Sequence, residues 1–91
     1  MAEVTMYCTR FCPYCISADR LLSHKGVAIN KIAVDNDPDM WATMEKVSGR
    51  NTVPQIFIGD YHVGGYDDLA ALERDGKLDP LLEPILKARP A

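Results

Sequence analysis

All three cysteines of the chain fall in one stretch, CTRFCPYC, from Cys8 to Cys15. Two chemistries fit this spacing. Counted from Cys8, it is C-x3-C-x2-C, three thiolates that could hold an iron–sulfur cluster, with Tyr14 before the last cysteine. Counted from Cys12, it is C-P-Y-C, a dithiol able to cycle between two thiols and a disulfide.

The position of Pro13 sets the local geometry. Proline has no N–H to lose and suits the first position of a helix, which makes Cys12 the N-cap and Cys15 the third helical residue. An N-cap side chain accepts hydrogen bonds from the next N–H groups, here those of Tyr14 and Cys15, and the helix dipole favours negative charge at this end. Both effects favour a thiolate at Cys12, and Arg10 adds to them. Cys15 lies on the apolar side of the helix, where burial keeps a thiol protonated. The expected division of labour is that Cys12 attacks and Cys15 resolves. A zinc site would need two more ligands from Cys8, His24 and His62, and His24 lies about three turns along the helix; no metal is expected.

Several elements must position this dithiol. EVTMYC alternates Val4, Met6 and Cys8 against Glu3, Thr5 and Tyr7, the pattern of a half-buried strand. The helix from Pro13 places Cys15, Ala18 and Leu22 on one face and stops at Gly26. A second strand is expected over 27–35. A second helix is capped by Asp37, opens at Pro38, carries Met40, Met44 and Val47 as its apolar stripe and ends at Gly49. TVPQIFIGDYHVGG reads as a hairpin with strands at 55–58 and 61–63. YDDLAALERDGKL is a third helix with Leu69 and Leu72 inward, beginning near Asp67, and Asp79-Pro80 starts a last helical turn. Pro84 argues against a long helix there. The order is β-α-β-α-β-β-α with a short tail. The first strand–helix–strand unit implies a parallel pair, and the hairpin adds antiparallel strands.

Composition narrows the function classes. At 91 residues the chain is one small domain, residues 1–91, with 47% apolar and 25% charged residues, as in globular proteins. Its net charge of −3 is scattered and includes no basic run, so no nucleic-acid partner is expected. No apolar stretch is long enough to span a bilayer, and MAEVTMYC lacks a cationic, apolar-cored leader, so no membrane and no signal peptide are expected. A secreted domain of this size usually carries about two to four disulfides. Three cysteines suit a reducing compartment, and the cytoplasm is the expected location.

CPYC after a first strand, TVPQIFIG and GGYDDL, in this order and across nearly the whole chain, resemble the glutaredoxins, most of all the small bacterial dithiol type. The resemblance implies a thioredoxin-like α/β fold, a four-stranded mixed sheet with helices on both faces. It also implies glutathione-dependent reduction of protein disulfides and of glutathione mixed disulfides through Cys12, with Cys15 resolving. By resemblance Pro54 is a cis-proline that presents the backbone of Val53 to the dithiol, where the cysteine of glutathione can pair with it as an added strand. Gly65 permits close approach of a ligand, and the γ-glutamyl carboxylate sits on the N–H groups of Tyr66 and Asp67, with Asp67 or Asp68 taking its ammonium. Tyr14 and Thr52 complete the expected contacts. Arg50 and Arg10 are the cations available for the glycyl carboxylate. Local charge must do this, because protein and glutathione are both net negative.

The chain departs from the family at three places, Thr9, Tyr66 and Cys8. Thr9 stands where a lysine is common, with Arg10 one position later. Tyr66 stands where a cysteine is frequent, a change that a backbone N–H contact tolerates. Cys8 reads as a small buried strand residue, and His24 and His62 as surface or hydrogen-bonded residues without a catalytic part. Phe11 and Tyr14 either rim the nucleophile or pack on the hairpin.

The C-x3-C-x2-C pattern also resembles radical iron–sulfur enzymes, but those need a partial barrel far longer than this chain. A [2Fe–2S] cluster bridged by two copies is disfavoured by Pro13 inside the motif, and a non-catalytic adaptor by the intact dithiol. The expected protein is a monomer with no tightly bound cofactor. Glutathione is its co-substrate, and disulfide-bearing or glutathionylated proteins are its partners.

Overall fold

The computed structural model describes residues 3–88. Its elements are β1 (Val4–Cys8), α1 (Pro13–His24), β2 (Ile29–Ala33), α2 (Pro38–Ser48), β3 (Gln55–Ile58), β4 (Tyr61–Gly64), α3 (Tyr66–Arg74) and α4 (Leu78–Ala88). They form one four-stranded sheet in the order β2-β1-β3-β4. β1 and β2 are parallel, with Val4 opposite Ile29 and Cys8 opposite Ala33. β3 pairs antiparallel with both β1 and β4. The sheet is therefore mixed, as expected.

The period-2 pattern of β1 sends Val4 and Met6 to one face, where both are buried. There they meet Ala18 and Leu22 of α1, Ile56 and Ile58 of β3, and Leu69 of α3 in a single core. Thr5, Tyr7 and Phe57 face the other side, next to Val47 of α2. The Tyr7 and Phe57 rings meet edge to face at 6.0 Å. Helices thus cover both faces of the sheet.

The local signals account for the helix ends. The Asp37 carboxylate accepts from the Met40 N–H at 3.1 Å, and Gly49 closes α2 in the left-handed region at φ 70°. Two expectations fail. Val47 is not part of a buried stripe; it is 50% exposed, and Met44 alone of α2 is buried. The C-terminal segment is not one helical turn but the eleven-residue α4, with Pro84 inside it. An interior proline costs a helix about 3 kcal/mol. Leu78, Leu82 and Ile85 are all buried in the core, and each such side chain is worth about 1.5–3 kcal/mol. Burial on three positions of one face outweighs one proline.

Candidate active site

The end of β1 and the start of α1 bring the dithiol to the surface. Cys12 is the N-cap of α1 in extended conformation, φ −91° and ψ 114°, with Pro13 in the first turn. Its carbonyl accepts the first helical bond, from the Ile16 N–H at 3.1 Å. Its side chain does not cap the helix as expected. The Cys12 thiol instead donates to the carbonyl oxygen of Val53, with Sγ 3.9 Å away. A protonated thiol is a donor and a carbonyl only accepts, so this contact belongs to the thiol form.

Cys15, one turn deeper, is 4% exposed. Burial pushes its thiol up to about 12; a backbone contact to Thr9 opposes this, and a hydrogen bond with the Cys12 thiol adds to it. Of the two thiols, Cys12 is partly exposed and able to react, while Cys15 is buried and held protonated.

Beside Cys12 opens a groove of about 220 Å³. Its walls are Tyr14 of α1, then Arg50, Thr52, Val53 and Pro54 of the loop before β3, then Gly65, Tyr66, Asp67 and Asp68 at the start of α3. Nine residues singled out from sequence thus share one cavity. The Val53–Pro54 peptide is cis. Gly65, not Asp67, is the N-cap of α3, so Tyr66 and Asp67 are its first two helical residues. First-turn N–H groups have no partner within their own helix.

The two halves of the groove are linked. Arg50 Nη1 donates to Asp68 Oδ2 at 3.0 Å, and the Gly65 N–H donates to the same oxygen at 3.0 Å. The Gly65 N–H and then Arg50 hold the Asp68 carboxyl below its ordinary range. A Cβ on Gly65 would lie 3.6 Å from the Pro54 carbonyl oxygen, so the two loops touch here.

Arg10 stands apart. Its Nε donates to Asp35 Oδ2 at 3.0 Å, and the guanidinium lies 5.9 Å from the Phe11 ring centre. It lines a second cavity with Cys8 and Cys15, not the groove. Arg50 is therefore the cation in the groove wall. Phe11 is 88% exposed and Tyr14 60%, which excludes packing on the hairpin. Cys8 is only partly buried, packed against the core, and burial raises its thiol.

His62 is hydrogen-bonded, with Nε2 2.8 Å from Gln55 Oε1, and it stacks on Phe57 at 4.7 Å. Two residues behind the groove escaped the sequence reading. Gln55 is wholly buried and holds Thr52 by two hydrogen bonds. Its signal was a lone amide inside the apolar run VPQIFI. Gly64, at φ 110°, leaves room for the Arg50–Asp68 bridge, since a Cβ there would collide with the Asp68 carboxylate.

Comparison with known proteins agrees with this geometry. The Glutaredoxin family model matches residues 4–63. The chain is 55% identical over 82 residues to a glutaredoxin of Pseudomonas aeruginosa, covering 90% of this chain and 98% of that one. It is 51% identical over 83 residues to glutaredoxin 3 of Escherichia coli K12, covering 91% and 100%. Among solved structures, the Brucella melitensis glutaredoxin is 54% identical with a TM-score of 0.78, covering 90% of this chain and 89% of that one. A buckwheat glutaredoxin–glutathione complex superposes with a TM-score of 0.83 at 31% identity, covering 91% and 78%. With the family model matched over most of the chain and relatives more than half identical across about nine-tenths of it, this chain belongs to the glutaredoxin family.

Proposed function

We propose that this protein is a monomeric, cytoplasmic dithiol glutaredoxin that spends glutathione to reduce glutathionylated proteins and protein disulfides. Thiol–disulfide oxidoreduction is the activity of the family. The observation that carries the glutathione reading is the groove beside Cys12, with the Val53 carbonyl on one wall and the first turn of α3 on the other.

Glutathione fits these walls chemically. Its cysteine backbone can pair with Val53 as a short added strand. Its γ-glutamyl carboxylate suits the N–H groups of Tyr66 and Asp67, and its ammonium suits Asp67 or Asp68. Arg50, the cation in the groove wall, suits the glycyl carboxylate, with Tyr14, Thr52, Pro54 and Gly65 shaping the rest. Arg10, paired with Asp35, acts on incoming protein substrates or on the glycyl carboxylate only if that pair opens. The protein bound to glutathione in the buckwheat complex supports the assignment by its likeness.

In the first reaction the Cys12 thiolate attacks the glutathione sulfur of a mixed disulfide. The Cys12–glutathione bond forms as the protein thiolate leaves and takes up a proton. A second glutathione thiolate then attacks that sulfur, freeing Cys12 and releasing glutathione disulfide. With a protein disulfide, Cys12 forms the mixed disulfide and Cys15 displaces the substrate thiol, leaving a Cys12–Cys15 bond. Two glutathiones reduce it, giving glutathione disulfide. Cys15 must lose its proton for this step, and its burial delays that until Cys12 is engaged.

The test is turnover of a small glutathione mixed disulfide with glutathione, glutathione reductase and NADPH. The wild type should consume NADPH and Cys12→Ser should not. A wild type without turnover would overturn the reading.

A further inference from the structure

Behind the Thr52–Pro54 wall of the groove runs a chain of polar groups, Thr52, Gln55 and His62. Gln55 opens β3 and is 0% exposed, the single buried polar residue among the described ones. Its Nε2 donates to the Thr52 carbonyl oxygen at 2.9 Å and to Thr52 Oγ1 at 3.2 Å. A carbonyl only accepts, so the amide nitrogen must face Thr52 and the amide oxygen must face the other way. That oxygen lies 2.8 Å from His62 Nε2. His62 therefore donates from Nε2, as it does in both its neutral and its charged state. The imidazole is itself fixed by stacking on Phe57.

We infer that Gln55, anchored by His62, is a positioning residue that fixes the Thr52–Pro54 wall of the groove for glutathione. This rests on the glutathione reading above. Neither side chain lines the groove. Among the described residues, the hydrogen bonds that tie Thr52 to the interior are the two that Gln55 makes to its carbonyl and its hydroxyl. Their loss would leave Thr52 free to turn, and with it the peptide that carries the Val53 backbone opposite Cys12. A buried amide without partners is costly, so an apolar residue would be the simpler choice for stability alone. The chain keeps glutamine where only a hydrogen-bonding side chain can reach the loop.

A positioning role makes its mark on substrate binding rather than on the chemical step. The experiment measures kcat and KM for a small glutathione mixed disulfide, and separately the rate of Cys12 alkylation by iodoacetamide, which needs no glutathione site. Gln55→Met keeps length and volume but removes all three bonds. It should raise KM about five- to tenfold, the scale of one or two lost hydrogen bonds, with kcat and the alkylation rate within about twofold. His62→Leu removes the anchor and should raise KM in the same direction. His62→Gln, which retains an N–H donor, should restore it. These variants are compared at matched folded fraction, from the denaturant midpoint of each. If Gln55→Met does not fold, the His62 pair decides alone.

An unchanged KM in folded Gln55→Met, or equal KM in His62→Leu and His62→Gln, would overturn the inference. A fall in kcat with KM unmoved would mark a merely structural role and overturn it equally. A wild type with no glutathione-dependent turnover would instead defeat the functional reading on which it rests.

Discussion

The thiol of Cys12 is aimed at the carbonyl oxygen of Val53, with Sγ 3.9 Å away across 41 positions of sequence. This contact joins the helix that carries the nucleophile to the loop that carries the groove. Cys12 is therefore in line with whatever pairs with Val53, while Cys15 is behind it and buried. The two thiols should separate by reaction. Cys12→Ser should abolish both deglutathionylation and protein-disulfide reduction. Cys15→Ser should keep deglutathionylation and lose most protein-disulfide reduction, because only the latter needs a resolving thiol. Parallel assays with a glutathionylated and a disulfide-bonded protein check this; equal losses in Cys15→Ser would refute it.

Burial raises Cys15 to about 12 and also raises Cys8. At neutral pH only on the order of one Cys15 in 10⁵ is then thiolate. Limiting iodoacetamide should add a single carbamidomethyl group to the native protein, at Cys12, and three after denaturation. Peptide mass mapping reads the site. Early labelling of Cys8 or Cys15 would contradict the assignment of Cys12 as the one reactive thiol.

Gly64 combines a φ of 110° with a Cβ direction that runs into the Asp68 carboxylate and comes within 3.0 Å of Arg50 Nη1. Gly64→Ala should cost about 1–3 kcal/mol from backbone strain. It should also push apart the Arg50–Asp68 bridge and raise KM for the glutathione mixed disulfide. The bridge itself is half exposed and worth little to stability, about 0–1 kcal/mol. Arg50→Gln should therefore raise KM while barely moving the denaturant midpoint, which distinguishes the two substitutions.

The parts of this molecule legible in the sequence are those governed by local rules. Pro13, Asp37 and Gly49 mark helix ends through properties of single residues, and the alternation of β1 follows from the pleat. The groove was legible through resemblance, since nothing local to TVP or GGYDD says that the two loops meet. Cys12 was expected to cap its helix, but a tertiary acceptor, Val53, competes for the thiol. Arg10 was expected at the groove and is drawn off by Asp35, 25 positions away. Gln55 was missed because its partners lie on a loop and a neighbouring strand. The first two failures come from long-range partners that sequence spacing does not encode; the partners of Gln55 are only three and seven positions away, but nothing in the spacing says that its side chain turns inward to meet them.

Pro84 is such a case for stability. It lies inside α4 and is exposed, and the helix persists because Leu78, Leu82 and Ile85 are buried. Pro84→Ala restores an N–H and relieves the ring, a gain of up to about 3 kcal/mol in a helix interior. Greater freedom of the unfolded chain offsets about 0.4–1 kcal/mol of that. The thermal midpoint should rise with turnover unchanged, since α4 contributes no residue to the groove. A lower midpoint would show that the proline is favourable where it stands.

His62 links pH to stability. Burial first, and Arg50 next, hold its imidazole below the ordinary range, with Asp68 pulling the other way. The unfolded chain therefore binds the proton at a higher pH than the folded one. Stability from this residue is complete above the ordinary histidine range and falls as the pH drops toward the depressed folded value. The Gln55 bond survives, because Nε2 carries a proton in either state; the loss comes from placing charge in a half-buried site near Arg50. His62→Gln has no proton to take up there. Its denaturant midpoint should be flatter over that interval than that of the wild type. At lower pH the curves should run together as Asp19, Asp35 and Asp68, all held low by their partners, take up protons in both. Equal slopes in the histidine range would show that the buried imidazole is charged as readily as a free one.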